Sequence, residues 1–435
     1  GEIMYFKNQQ LLARYCLERI ALNMPSVDPL IWSKPIRVGY NPKVSYSNGE
    51  SFLTRPDNFM PEKSPSIWLI KHSKNIERRL QDSIDFGRLM PEDPMNFKEG
   101  VNLHNKDGTN MLGYAATGHY GRKFYGNYYW QTLDALSSMI KTKDDRSFKG
   151  GVLNVPQLGM RDPAFFSFLK SFVHMFDSHK KTLHPYMRPD VLFPGVTIKS
   201  FVADKLVTFI EKFDFEITNG LAVKDPKEYI DLKYHASQYR VNHKPYVFKM
   251  DVNSEKETNA IVTIFIGPHR DAEFKPLSLE QKRLMFVVMD RFVVKLKAGQ
   301  NMIERSSKEA TYAFSDRLGF RALYSRIESA KKGEQFFKAQ GTTCGFPEHL
   351  QLPMGSPAGT KFTFAVVITP AKENVEQLPK GHFCMYPRMK DDHAMMFPFD
   401  RHIHDETMFH VPNIYFEDMP IYYKTESDIN RPEQN

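Results

Sequence analysis

Cysteine is scarce in this chain, with three among 435 residues: Cys16, Cys344 and Cys384. No two of them form a Cys-x-x-Cys pair, which excludes the thiolate-clamp metal sites and redox motifs built on that spacing. Long apolar runs are missing as well. None approaches the roughly 18 residues that a membrane-spanning helix needs. No Asn-x-Ser/Thr acceptor occurs, so N-glycosylation is not expected. A nucleophile elbow and a His-Glu-x-x-His helix are both absent, and the GHYG at 118–121 lacks the spacing and the preceding strand of a phosphate-cradling loop. The carboxylates are scattered, without a poised acid/base pair.

What is present is ordinary globular composition, 41% hydrophobic and 25% charged, long enough for about two to three domains. The net charge of +8 invites a polyanionic partner, but acids and bases alternate along the whole length. The densest basic cluster, Lys71–Arg79, contains Glu77 and alternates with Ile70, Ile76, Leu80 and Ile84, as the solvated back of an amphipathic helix does. With no basic stripe, nucleic acid is not an expected partner. Aromatic residues reach 13%, and the 21 methionines are about twice the usual share. Methionine fills irregular cores; such enrichment also suits a protein kept as a reserve of amino acids.

Read in order, Gly1 to about Met24 is helical, with Gln9, Gln10, Arg14, Glu18 and Arg19 expected as its polar face. Gly1 opens inside that periodic segment and no signal peptide precedes it, so the natural start is expected upstream. Prolines punctuate a loop-rich stretch to Pro61, Trp68–Gly87 is helical, and Met90–Gly113 reads as polar loop. Arg161–His179 begins with Asp162-Pro163, a cap followed by a first-turn proline, and carries a wide apolar stripe from Phe165 to Phe176. Past Pro194 the period changes to strands at Val196–Phe201, Tyr239–Val252, Ala260–Ile266, Met285–Leu296, Lys361–Thr369 and Asn413–Tyr423. Helical insertions are expected at Lys205–Phe215 and Lys308–Ser329. The fold class is therefore α+β multidomain, a helical part followed by an antiparallel β-sandwich.

One stretch, KFYGNYYWQTL at 123–133, concentrates the functional question. Gly126 and Asn127 break and cap the chain, and Tyr129 and Leu133 lie four apart on one helical face. That spacing offers two histidines to one metal ion where the residues are histidines. Elsewhere His174, His179 and His184 are five apart and share no helical face. His402 and His404, with His393 and His410 nearby, have the spacing of a strand face but lack a marked third ligand. Cys16 sits in an apolar helical stretch, as a buried thiol does. Cys344 and Cys384 flank strand-like sequence, where a bridge would imply an oxidising compartment; spacing alone leaves this open.

Seven blocks carry a family resemblance: MYFKNQQLLARYCLERI (4–20), PIRVGYNPKVSYSNGESFLTRPDN (35–58), RDPAFFSFLKSFVHMF (161–176), VNHKP (241–245), LKAGQNMIERSS (296–307), CGFPEHLQLPMG (344–355) and FPFDR (397–401). Together they resemble the arthropod hemocyanin superfamily of oxygen carriers, prophenoloxidases and insect storage hexamerins. The resemblance implies a hemocyanin-type helical middle domain over 1–192, lacking its first part, and an immunoglobulin-like β-sandwich over 193–435.

Copper-bearing members hold each of two copper ions by three histidines of the middle domain, imidazole being a suitable ligand for both copper oxidation states. The histidine of the family's HQQ motif falls here on Asn8. The first two ligands of the second copper fall on Tyr129 and Leu133, and the last, which follows the RDP motif, falls on Leu169. None is histidine, so the resemblance implies no copper, no other cofactor, no catalysis and no oxygen binding. It points to the storage hexamerins: secreted haemolymph proteins held as amino-acid reserves, later in fat-body granules, as homo- or hetero-hexamers with an uptake receptor. The basic balance and the methionines favour the methionine-rich lepidopteran type. A copper phenoloxidase, an oxygen carrier and a carrier of small hydrophobic ligands are the alternatives. The same resemblance implies a Cys344–Cys384 disulfide in the sandwich.

Overall fold

The computed structural model describes residues 1–91, 100–140, 150–221, 225, 227–337, 345–372, 375–377, 380–381 and 393–429. Helix α1 (Glu2–Ala21) is followed by a long irregular stretch, α2 (Ile67–Asp85) and a two-residue strand pair, β1 (Arg88–Leu89) with β2 (Val101–Asn102). Then come α3 (Gly108–Ala116), α4 (Arg122–Tyr125), α5 (Tyr128–Ser138), α6 (Pro156–Gly159), α7 (Pro163–Lys181) and α8 (Arg188–Val191). The expected loop at Met90–Gly113 thus contains the start of α3, whose LGYAA apolar run is too short to show a helical period.

Helix α7 starts where Asp162 takes the N-cap, its Oδ1 accepting from the Ala164 N–H at 2.9 Å, with Pro163 in the first turn. The Arg55 guanidinium grips the same carboxylate at 2.6 and 2.5 Å, both side chains almost fully buried. A cap fixed in this bidentate way sets both the start and the direction of α7. Its apolar stripe, Phe165 to Phe176, packs with Ile70, Ile76 and Leu80 of α2 and Tyr128, Leu133 and Leu136 of α5 in one helical core.

The remainder is a sandwich. Six strands lie in the order β5 (His235–His243), β4 (Leu206–Glu216), β13 (Ile414–Tyr423), β12 (Thr360–Pro370), β7 (Thr258–Pro268) and β8 (Val287–Leu296). Facing them are β3 (Val196–Ala203), β6 (Val247–Ser254) and β9 (Gly299–Ser306). A minor parallel pair joins β10 (Ala313–Phe314) to β11 (Phe346–Pro347). Pairing in the two main sheets is antiparallel except β13 with β4, so the larger sheet is mixed rather than purely antiparallel. Lys205–Phe215 is strand β4, not a helix: Val207, Phe209, Phe213 and Phe215 alternate with polar residues along much of it, the period of a strand. Tyr239–Val252 is two strands, because Lys244-Pro245-Tyr246 separates β5 from β6. Of Lys308–Ser329 only the part from Phe320 onward is α-helical, within a helix that runs Phe320–Lys331.

The central strands read as unbroken apolar runs because both of their faces are covered. Register pairs Phe364 with Ile266, Val366 with Ile264 and Ile368 with Val262, and this face meets Phe201, Phe248, Met250 and Val252 of the smaller sheet. The opposite face, with Phe265, Ala365 and Val367, lies under Phe397, Phe399, Ile403 and Phe409.

Helix α1 joins the two parts. Tyr5 and Leu12 belong to the helical core, Ala13 and Leu17 to the sandwich core, and Phe6 to the cluster on the outer sheet face. The expected polar face is therefore largely buried: Gln9 and Gln10 are 0% exposed and Arg14 is 6%. Their polar atoms are satisfied mostly by backbone, with Gln9 Oε1 accepting from Gln10 Nε2 at 2.8 Å and Arg14 Nη1 donating to Glu18 at 2.7 Å. Gln9 donates to the Leu284 carbonyl at 2.7 Å, and Gln10 donates to the Phe286 carbonyl at 3.1 Å while accepting from the Val288 N–H at 2.8 Å. Arg14 donates to the Leu350 and Leu352 carbonyls, both at 2.9 Å. A buried side-chain amide or guanidinium without such partners would cost about 1–3 kcal/mol per group.

Candidate functional site

The four positions singled out from sequence converge in the helical part. Asn8 comes from α1, Tyr129 and Leu133 from α5, and Leu169 from α7. Gly126, at φ 60°, breaks the chain between α4 and α5; a Cβ there would meet Gln131 Oε1 and Ile76 Cδ1 at 2.5 and 2.7 Å. Asn127 then caps α5, its Oδ1 accepting from the Trp130 N–H at 3.2 Å. This start aims Tyr129 and Leu133 inward together.

All four are buried, Tyr129 at 7% exposure, Asn8 at 6%, Leu133 at 2% and Leu169 at 0%. The Tyr129 hydroxyl donates to Asn8 Oδ1 at 3.1 Å, and the Asn8 amide nitrogen donates back to the Met4 carbonyl at 2.8 Å. The Tyr129 ring stands edge-to-face against Phe168 and Phe172, at 5.2 and 5.4 Å between centroids. Leu133 and Leu169 belong to the same apolar cluster.

These atoms do not fit a copper ion. Two of the four side chains are hydrocarbon, and the amide oxygen is already an acceptor for the phenol. A phenolate can bind a metal, but burial pushes the Tyr129 hydroxyl up to about 12, so it stays protonated and acts as a donor. What the arrangement does chemically is satisfy its own polar atoms within an apolar core.

The histidine groups are dispersed. His402 and His404 lie in an irregular segment rather than a strand, their ring centroids 4.3 Å apart, and His402 Nδ1 meets Glu280 Oε1 at 2.6 Å. The His393 ring stacks on Phe397. His179 is fully buried with Nε2 3.2 Å from Thr109 Oγ1; burial first, then Lys180 and His104, push its pKa down to about 3. Among the described residues no group of three His, Cys, Asp or Glu side chains is arranged to hold a metal ion. Likewise no described helix is long and apolar enough to cross a membrane. Cys344 and Cys384 lie outside the described residues; Cys16 is a half-buried free thiol whose pKa burial raises to about 11.

The model of the hemocyanin immunoglobulin-like domain matches residues 185–423, and that of the hemocyanin copper-containing domain matches 1–176. The chain belongs to the hemocyanin family. Allergen Cr-PI of Periplaneta americana is 30% identical over 446 residues, covering 99% of this chain and 64% of the allergen. A hexamerin of Blaberus discoidalis is 30% identical over 489 residues, covering 99% of this chain and 66% of the hexamerin. The chain thus spans slightly less than two thirds of these relatives. A scorpion hemocyanin structure superposes with a TM-score of 0.82 at 22% identity, over 98% of this chain and 69% of that one, which shows the shared fold. Within this hemocyanin-family fold the recurring sequence blocks have structural roles. Arg55 from one block holds Asp162 from another, and Arg14 from the first ties down the backbone of CGFPEHLQLPMG. In VNHKP, both His243 ring nitrogens meet carbonyls, those of Lys244 and Glu348.

Sequence reasoning passed over one constellation, the cleft formed by 184–190 with His393 and Arg401. Its signal was the FPFDR block, which ends on Arg401.

Proposed function

We propose that this chain belongs to a storage hexamerin: a secreted haemolymph protein that holds amino acids in reserve and neither binds oxygen nor catalyses oxidation. The observation that carries the reading is the closed Asn8–Tyr129 pair beside Leu133 and Leu169. Asn8, Tyr129, Leu133 and Leu169 are, on this reading, vacated copper-ligand positions, and the similarity to a cockroach hexamerin supports it. A phenoloxidase or an oxygen carrier would need imidazoles where these side chains stand.

The finer features follow from the same reading. The subunit assembles with like subunits into a homo- or hetero-hexamer, completed by an N-terminal segment of the same subunit. It circulates in haemolymph and is later taken up by a fat-body receptor into storage granules. A net charge of +8 and 21 methionines favour the basic, methionine-rich lepidopteran type. The domain boundary is placed at 192/193, between α8 and β3, and a disulfide joins Cys344 to Cys384.

Copper analysis after loading with Cu(I), together with a catechol-oxidation assay, tests the reading. Substoichiometric copper and no turnover are expected. Stoichiometric copper retained through dialysis, or catechol oxidation by the loaded protein, would overturn it.

A further inference from the structure

The cleft at the seam between the two parts has a volume of about 560 Å³, on the size scale of small-ligand pockets. Its walls are His184, Pro185, Tyr186, Met187 and Asp190 on one side and His393 and Arg401 on the other. The Arg401 guanidinium lies over the Tyr186 ring, 4.3 Å from its centroid, and donates from Nη1 to the His184 carbonyl at 2.8 Å. Nε and Nη2 have no hydrogen-bond partner among the described residues, and Nε is sealed from solvent. The neighbouring carboxylates are otherwise engaged. Asp400 takes Lys180 at 3.0 Å and the Tyr186 hydroxyl at 3.0 Å, and Asp190 Oδ2 accepts from the Met187 N–H at 2.8 Å.

Arg401 is therefore a guanidinium held in place by a carbonyl and an aromatic face, without a carboxylate of its own. We propose that this cleft binds a small amphipathic carboxylate, its anionic end taken by Arg401 and its apolar body lying against Pro185 and Met187. Guanidinium and carboxylate form a charge-assisted hydrogen bond, and the ring beneath Arg401 limits the freedom lost on binding. Asp190 stands in the same wall and disfavours an anion at that end, so the charged group is confined to the Arg401 end. Half-exposed Met187 offers a polarizable surface to a varied hydrocarbon body. The inference does not depend on the storage reading, since no residue of the cleft belongs to the vacated copper positions.

Isothermal titration of the intact protein with three probes tests it: 4-phenylbutyrate, its uncharged amide, and acetate. Phenylbutyrate is expected to saturate at one per chain. The amide, which lacks the charge, and acetate, which lacks the body, should each bind at least about tenfold more weakly. Arg401→Gln should weaken phenylbutyrate by about tenfold or more, with Arg401→Lys intermediate, near-ultraviolet circular dichroism reporting the fold. No saturable binding, equal affinity for acid and amide, or full affinity in folded Arg401→Gln would each overturn the proposal. Were both variants to unfold, the acid–amide comparison on the unaltered protein would still decide.

Discussion

The Asn8–Tyr129 bond can be broken from either end, and the two routes have different costs. Tyr129→Phe removes only the hydroxyl, leaving the ring in its edge-to-face contacts with Phe168 and Phe172. It also leaves Asn8 Oδ1, in a side chain 6% exposed, without its donor. The lost bond is worth about 1 kcal/mol, and an orphaned buried acceptor raises the total to about 1–3 kcal/mol. Asn8→Leu keeps a similar branched shape but orphans the Tyr129 hydroxyl, at a comparable cost. In the double variant neither polar group remains, so the pair should recover to within about 1 kcal/mol of the unaltered protein. The coupling energy, the two single costs less the double, should thus be at least about 1 kcal/mol and favourable. Urea unfolding of all four proteins at one concentration measures it, equal concentrations being needed because assembly shifts the midpoint. Strictly additive single costs would show that the two groups do not depend on one another, and the account of the pocket would fail.

Acid should destabilise the fold through His179. Its pKa is about 3 in the folded state against about 6.5 unfolded, so its contribution is complete above pH 6.5 and is lost progressively as pH falls toward 3. Unfolding midpoints for His179→Gln should be less steep over that interval; an unchanged slope would contradict the assignment. Arg283, 1% exposed, ties Asp177 of α7 and Glu280 together; Arg283→Met leaves Asp177 with Lys181 alone, at 3.0 Å, and should cost about 1.5–3 kcal/mol, read as a lower urea midpoint. Cys16, raised to about 11, should resist iodoacetamide at pH 8 until urea exposes it; fast native alkylation would refute this. Non-reducing peptide mapping should recover Cys344 and Cys384 in one cross-linked peptide, and two free thiols would refute the pairing.

Much of this was legible from local chemistry. Asp162-Pro163 announced the start of α7, and Gly126-Asn127 the start of α5, because a cap and a broken turn are written in adjacent residues. The four converging positions were legible through the blocks that surround them. Long-range facts were not. Strand β4 was mistaken for a helix where its apolar start, Leu206-Val207, interrupts the alternation. Gln9, Gln10 and Arg14 looked like a solvated face, since nothing local reveals that backbone carbonyls 275 or more residues away will meet them. The Arg401 cleft was hidden for the same reason, its two walls lying over 200 residues apart.

Those buried amides also bear on how α1 keeps its place beside α5 and α7. Helix α1 sends side chains into all three apolar clusters, so its position is fixed by both parts of the molecule. Gln9 and Gln10 anchor it at the segment entering β8, and Arg14 anchors it at the 350–352 backbone. With those restraints, the Asn8 end has no need of a ligand bridge to α5 and α7 to hold its register. One phenol–amide bond and packed leucines suffice there, because the expensive polar groups of α1 are satisfied elsewhere. The placement of α1 is therefore set by contacts outside the Asn8–Tyr129 pocket, and the side chains of that pocket can change without the fold changing.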